Sequence, residues 1–124
     1  MPTSPTRIAI VDDDPGVLKA LERLFAAYRF QPRTYASARL FLRSLSEERP
    51  DCLVLDLQMP EMTGLELQHE LVRSGLRIPT VVITADDERG VRQQCESAGA
   101  IEFLCKPLNQ RTLIAAVTKA IAAP

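Results

Sequence analysis

No apolar run in these 124 residues approaches the ~20 that a membrane-spanning helix needs. Residues 1–6 are rich in Pro, Ser and Thr and carry no apolar stretch of the signal-peptide kind, so a cytosolic chain is expected. There is no excess of basic charge: the net charge is −1, which argues against direct contact with nucleic acid. No Gly-x-Gly-x-x-Gly loop follows the first apolar run, which disfavours a nucleotide-binding doubly wound domain. Cysteine is scarce and scattered. Cys52, Cys95 and Cys105 form no Cys-x-x-Cys pair and have no neighbouring histidine, so no zinc site is implied. Cys52 and Cys105 lie in or beside strand-like runs and read as small buried hydrophobes. The one histidine, His69, reads as a helix-surface or half-buried residue.

What is present is ordinary for one globular domain: 46% hydrophobic and 25% charged residues. Strand-like and helix-like segments alternate five times, which predicts an α/β fold with a parallel sheet. Strands are expected at about 7–11, 30–35, 52–55, 80–83 and 101–104. Pro32 assigns the second of these to a sheet edge, because proline cannot donate to a ladder. Asp14 is placed to cap a first helix with Pro15 at its first position and a stripe of Leu18, Leu21, Leu24 and Phe25. Ser37 caps a short helix carrying Leu40, Phe41 and Leu45. Thr63-Gly64-Leu65-Glu66 has capping-box spacing and opens a helix with Leu67 and Leu71, stopped near Gly75. A polar helix over 88–98, with Val91, Cys95 and Ala98 as its apolar contacts, should be the least firmly held. Asn109 caps a last helix with Leu113, Ile114, Val117 and Ile121. The whole of 1–124 reads as one domain, with 1–6 flexible and 122–124 as a possible linker start.

Four of the apolar runs stop at polar residues: Asp12-Asp13, Asp56, Thr84 and Lys106. In an open parallel sheet all strand C-termini lie on one edge, where ligands bind. Three carboxylates, a hydroxyl and an ammonium would meet there, a set suited to a divalent cation and a phosphoryl group. Asp56 ends a wholly apolar strand and is the candidate nucleophile toward phosphorus. Asp12 and Asp13 would hold Mg²⁺, a hard cation that prefers oxygen ligands, and Lys106 adds a compact positive charge. Taken singly, each has a structural reading as a cap, an Asx turn, a strand threonine or a solvated lysine. It is their joint placement at strand ends that carries the argument.

These residues resemble the receiver domain of bacterial two-component response regulators over nearly all of 7–121. The matching pieces are Ile10-Val11-Asp12-Asp13-Asp14, Asp56-Leu57-Gln58-Met59-Pro60, Met62-Thr63-Gly64-Leu65, Ile83-Thr84-Ala85, and the run from Gly99 through Phe103 to Lys106-Pro107. The resemblance implies a doubly wound five-stranded parallel sheet of order 2-1-3-4-5 with five helices, the flavodoxin-like arrangement. It implies Asp56 as phosphoacceptor, with Mg²⁺ held by Asp13, Asp56 and the backbone carbonyl of Gln58, and by Asp12 mainly through water. It implies that Thr84 and Lys106 hold phosphoryl oxygens, that Thr84 and Phe103 form a switch, and that Lys106-Pro107 is cis. The Gln58 side chain, two residues past the acceptor, would bear on hydrolysis.

The implied partners are a sensor histidine kinase and, through helix four, strand five and helix five, a second copy of the chain. DNA would be reached through an output domain not contained here. An aspartyl phosphatase or phosphotransferase is the competing enzyme reading. Asp12-Asp13-Asp14-Pro15-Gly16 has the acids of an Asp-x-Asp-x-Thr/Val motif but lacks the Thr or Val. A receiver-like interaction module that never carries phosphate is the other competitor.

Overall fold

The computed structural model describes residues 5–85 and 90–122. Five strands alternate with five helices: β1 (Arg7–Val11), α1 (Pro15–Ala27), β2 (Gln31–Tyr35), α2 (Ala38–Ser44), β3 (Cys52–Asp56), α3 (Gly64–Arg73), β4 (Thr80–Thr84), α4 (Val91–Ser97), β5 (Ala100–Cys105) and α5 (Gln110–Ala122). The strands form one parallel sheet in the order β2-β1-β3-β4-β5, as expected. Among the described residues no helix is long and apolar enough to cross a membrane. The expected start of the fourth helix at Glu88, and the expectations for 1–4 and 123–124, lie outside the described residues.

The continuous apolar runs of β1, β3 and β4 become two cores by simple alternation, because successive side chains of a strand point to opposite faces. Ile8, Ile10, Val54, Val81 and Ile83 face α1 and α5, where Leu21, Phe25, Leu113 and Val117 meet them. Ala9, Val11, Leu53 and Leu55 face α2 and α3, meeting Phe41, Leu67 and Leu71. A smaller cluster joins Leu57, Val82 and Phe103 to Cys95 of α4. β2, bonded only to β1, contains no fully buried residue, which is why Pro32 is tolerated there.

The helix starts follow local chemistry. Asp14, Ser37 and Asn109 accept from the backbone N–H groups of Gly16, Leu40 and Thr112. Thr63 and Glu66 exchange hydrogen bonds in a full capping box. Such a cap typically contributes ~1 kcal/mol, enough to set where a short helix begins. Gly75, at φ +74°, takes the left-handed turn that stops α3.

Three expectations are corrected. Leu40 is 48% exposed: α2 is a short helix that docks through Ala38 and Phe41, and Leu40 next to Phe41 cannot share that face. Cys105 is exposed as the last residue of β5, at the C-terminal rim of the sheet. β5 also starts one residue before the expected 101, since a bulge between the Thr80 and Val81 pairings leaves Ile101 without a partner. The bulge breaks the period of two, so Ala100 and Phe103 both reach the α4 side despite their odd spacing.

Candidate functional site

The C-terminal ends of β1, β3, β4 and β5 bring the polar residues to one edge. Asp12 follows β1 and is fully buried, Asp56 closes β3 at 3% exposure, and Thr84 closes β4 fully buried. Asp13 is exposed at the mouth. Ligand oxygens of Asp12, Asp13 and Asp56 lie within 4.8 Å of one another. The Lys106 amine sits 2.9 Å from Asp12 Oδ2 and 3.6 Å from Asp56 Oδ1. Its backbone N–H donates to the Thr84 carbonyl at 2.7 Å, so β4 fixes where the lysine emerges. The Lys106-Pro107 bond is cis.

Asp12 is the most committed of the acids. One oxygen accepts the Asp14 N–H at 2.9 Å and the other takes the lysine amine. Burial first, then the charge of Asp12, pushes the Asp56 carboxyl from 3.8 up to about 6; Lys106 opposes, Asp13 adds, and a hydrogen bond from the Gln58 backbone lowers it. Burial disfavours the Lys106 ammonium, but its hydrogen bond to Asp12 and the charge of Asp56 outweigh that and hold its pKa above the ordinary lysine value. Clustered oxygens that repel each other, with one amine between two of them, fit a hard divalent cation and an anionic group carried beside it.

Gly64 fixes the wall behind Asp56. Its N–H donates to the Leu57 carbonyl at 3.0 Å, and a Cβ there would lie 2.4 Å from the Asp56 carbonyl oxygen. Only glycine lets α3 start this close to the strand that presents Asp56.

Thr84 and Phe103 share one sheet face. Val82 pairs with Phe103 and Thr84 with Cys105, so by alternation Thr84 is the diagonal neighbour of Phe103. Phe103 is turned inward, with the Arg92 guanidinium 5.7 Å from its ring centre. Arg92 is exposed and pairs with Glu96 at 3.3 Å, yet it also covers Phe103. Gln68 was missed altogether. Gly64, Leu67, Gln68 and Leu71 are the buried residues of α3, at the i, i+3, i+4, i+7 spacing that marks a core stripe. The signal was present and the polarity of glutamine concealed it. His69 is exposed on α3.

Comparison with known proteins agrees with this architecture. Residues 8–118 match the response regulator receiver domain. Response regulator protein TmoT of Ectopseudomonas mendocina is 36% identical over 114 residues, covering 92% of this chain and 52% of that protein. Transcriptional regulatory protein FixJ of Rhizobium meliloti is 34% identical over 113 residues, covering 91% of this chain and 55% of the relative. The chain thus spans about half the length of the curated relatives it matches. The crystal structure of FixJ-N superimposes with a TM-score of 0.89 at 31% identity, covering 98% of each chain. A response regulator receiver protein from Burkholderia phymatum gives 0.84 at 38% identity, covering 96% of this chain and 97% of that one. Sequence and topology agree from the first strand to the last helix, and the chain belongs to the response regulator receiver domain family, whose members serve as receivers in phosphorelay signalling.

Proposed function

We propose that Asp56 accepts a phosphoryl group from the phosphohistidine of a sensor kinase. An Asp56 carboxylate oxygen attacks phosphorus as the P–N bond breaks, and the bond's electron pair leaves with the donor imidazole. Asp13 and Asp56, with the backbone carbonyl of Gln58, would hold Mg²⁺, which when bound supplies positive charge against the phosphoryl oxygens. Asp12, both of whose oxygens already have partners, would act mainly through water, which its contacts to Asp14 and Lys106 support. The Lys106 amine releases Asp12 and turns onto a phosphoryl oxygen, and the Thr84 hydroxyl donates to another. The domain thereby catalyses its own phosphorylation and, with water as the attacking group, its own hydrolysis, by positioning and charge rather than further covalent chemistry.

The single observation behind this reading is the Lys106 amine lodged between two buried carboxylates, 2.9 Å from Asp12 and 3.6 Å from Asp56. A fixed cation at that spot is what a carboxylate needs if it is to be approached by a phosphoryl dianion. Thr84 and Phe103 then form the switch, relayed to α4, β5 and α5, through which the domain would dimerise. In a longer regulator the readout would be transcription, as the name of the FixJ relative suggests, and the cytoplasm is the compartment that fits. Asp56→Asn should abolish acid-labile phosphate incorporation from a phosphorylated kinase or acetyl phosphate. Incorporation at the wild-type level in that variant would remove Asp56 as the acceptor.

A further inference from the structure

The two ends of helix α4 are held by different kinds of contact. At its start Gly90, in the left-handed conformation at φ +87°, supplies no side-chain cap. At its far end Cys95 is fully buried, and the Cys95 carbonyl accepts from the side-chain amide of Gln68 on α3 at 3.1 Å as well as from the Ala98 N–H. Cys95 is the one buried residue of α4.

Gln68 does not fit a packing role. It is 2% exposed, inside the apolar stripe of α3, and its Oε1 has no partner among the described residues. A buried carbonyl left unpaired costs stability, and a leucine of similar volume would fill the same space without that penalty. The contact a leucine could not make is the hydrogen bond to α4.

We infer that the Gln68–Cys95 contact is the pivot on which α4 turns when the site is phosphorylated. The inference rests on the phosphoacceptor reading above. The first turn of α4 carries Val91, half-buried against the cluster of Phe103, and Arg92, whose guanidinium lies over the Phe103 ring. Leu57, next to Asp56, belongs to the same cluster as Phe103 and Cys95. A change at Asp56 and Thr84 therefore reaches Phe103 and the start of α4, while Gln68 pins the end. Val91 lies four residues, ~6 Å, from Cys95, so a tilt of about 10° at the pivot moves the start of the helix by roughly 1 Å. Gln68 touches no reacting atom. It is a positioning residue that turns a local push into a tilt of α4 and keeps the helix from sliding or fraying as a whole.

The test is amide NMR and hydrogen exchange on the full chain, with and without beryllofluoride and Mg²⁺, for wild type and Gln68→Leu. Gln68→Met serves as the second variant should the branched side chain not fold. In wild type, beryllofluoride should shift the amides of 91–94 strongly while protection at Ala98 and Gly99 stays within about twofold. In Gln68→Leu the same ligand should lower protection at Ala98 and Gly99 by about tenfold, the loss expected when one buried hydrogen bond no longer ties the end down. Protection lowered equally with and without ligand would make Gln68 a structural tie only and overturn the pivot. So would wild-type changes spread evenly along α4. Failure of beryllofluoride to bind wild type, seen as no bound-fluoride ¹⁹F signal, would instead sink the phosphoacceptor reading and the pivot with it.

Discussion

Replacing Asp56 by Asn should make the metal-free protein more stable, although it removes the proposed acceptor. Asp56 is almost wholly buried, and its carboxyl titrates at about 6 in the folded chain against 3.8 for the free side chain. A folded-state pKa above the unfolded one means that folding favours the protonated acid. That contribution is fully present below about pH 3.8 and is lost as pH rises through about 6. At pH 7.5 the wild type carries the ionised form at the full penalty. Two pH units at ~1.36 kcal/mol each give about 3 kcal/mol. The Asn amide must itself find partners in the pocket, so a gain of about 2 kcal/mol is the working figure. Lys106 keeps its closer partner, Asp12, in the variant. The assay is urea denaturation followed by circular dichroism in EDTA, at pH 7.5 and at pH 4. The variant should exceed wild type at pH 7.5, and the gap should close at pH 4. A variant no more stable than wild type at pH 7.5, or a gap that is the same at both pH values, would show that ionised Asp56 is not held at a cost.

Two further outcomes follow from the same geometry. Lys106→Ala removes the cation between Asp12 and Asp56, and the metal-free protein should lose about 2 kcal/mol in urea denaturation, below the usual cost of breaking a buried pair because the lysine is partly exposed; added Mg²⁺ should restore much of that loss. Gly64→Ala sets a Cβ against the Asp56 carbonyl oxygen and should cost roughly 2–4 kcal/mol while slowing phosphate incorporation, measured by denaturation and by radiolabel transfer; a fully stable, fully active variant would show that the start of α3 can retreat from β3.

Helix boundaries were legible because their causes are local. Asp14, Ser37, Thr63-Glu66 and Asn109 bond N–H groups two or three residues away, so the sequence neighbourhood contains the whole interaction. The order of the strands and the gathering of Asp12, Asp56, Thr84 and Lys106 at one edge were legible for a different reason. Apolar runs ending in polar residues have few arrangements in a parallel sheet, and the resemblance selected one of them.

By itself, then, the sequence determined which segments are strands and helices, where most of them start, and which side chains could carry the chemistry. Tertiary structure alone decided what covers what. Leu40 is exposed and Gln68 buried because of which face α2 and α3 turn to their neighbours, not because of their polarity. Ala100 and Phe103 both face α4 because a bulge in β5 resets the alternation, a choice made by pairing with β4. The 2.9 Å contact between Lys106 and Asp12 joins residues 94 positions apart. Its length, and the raised pKa of the lysine, exist only once the sheet has brought them together.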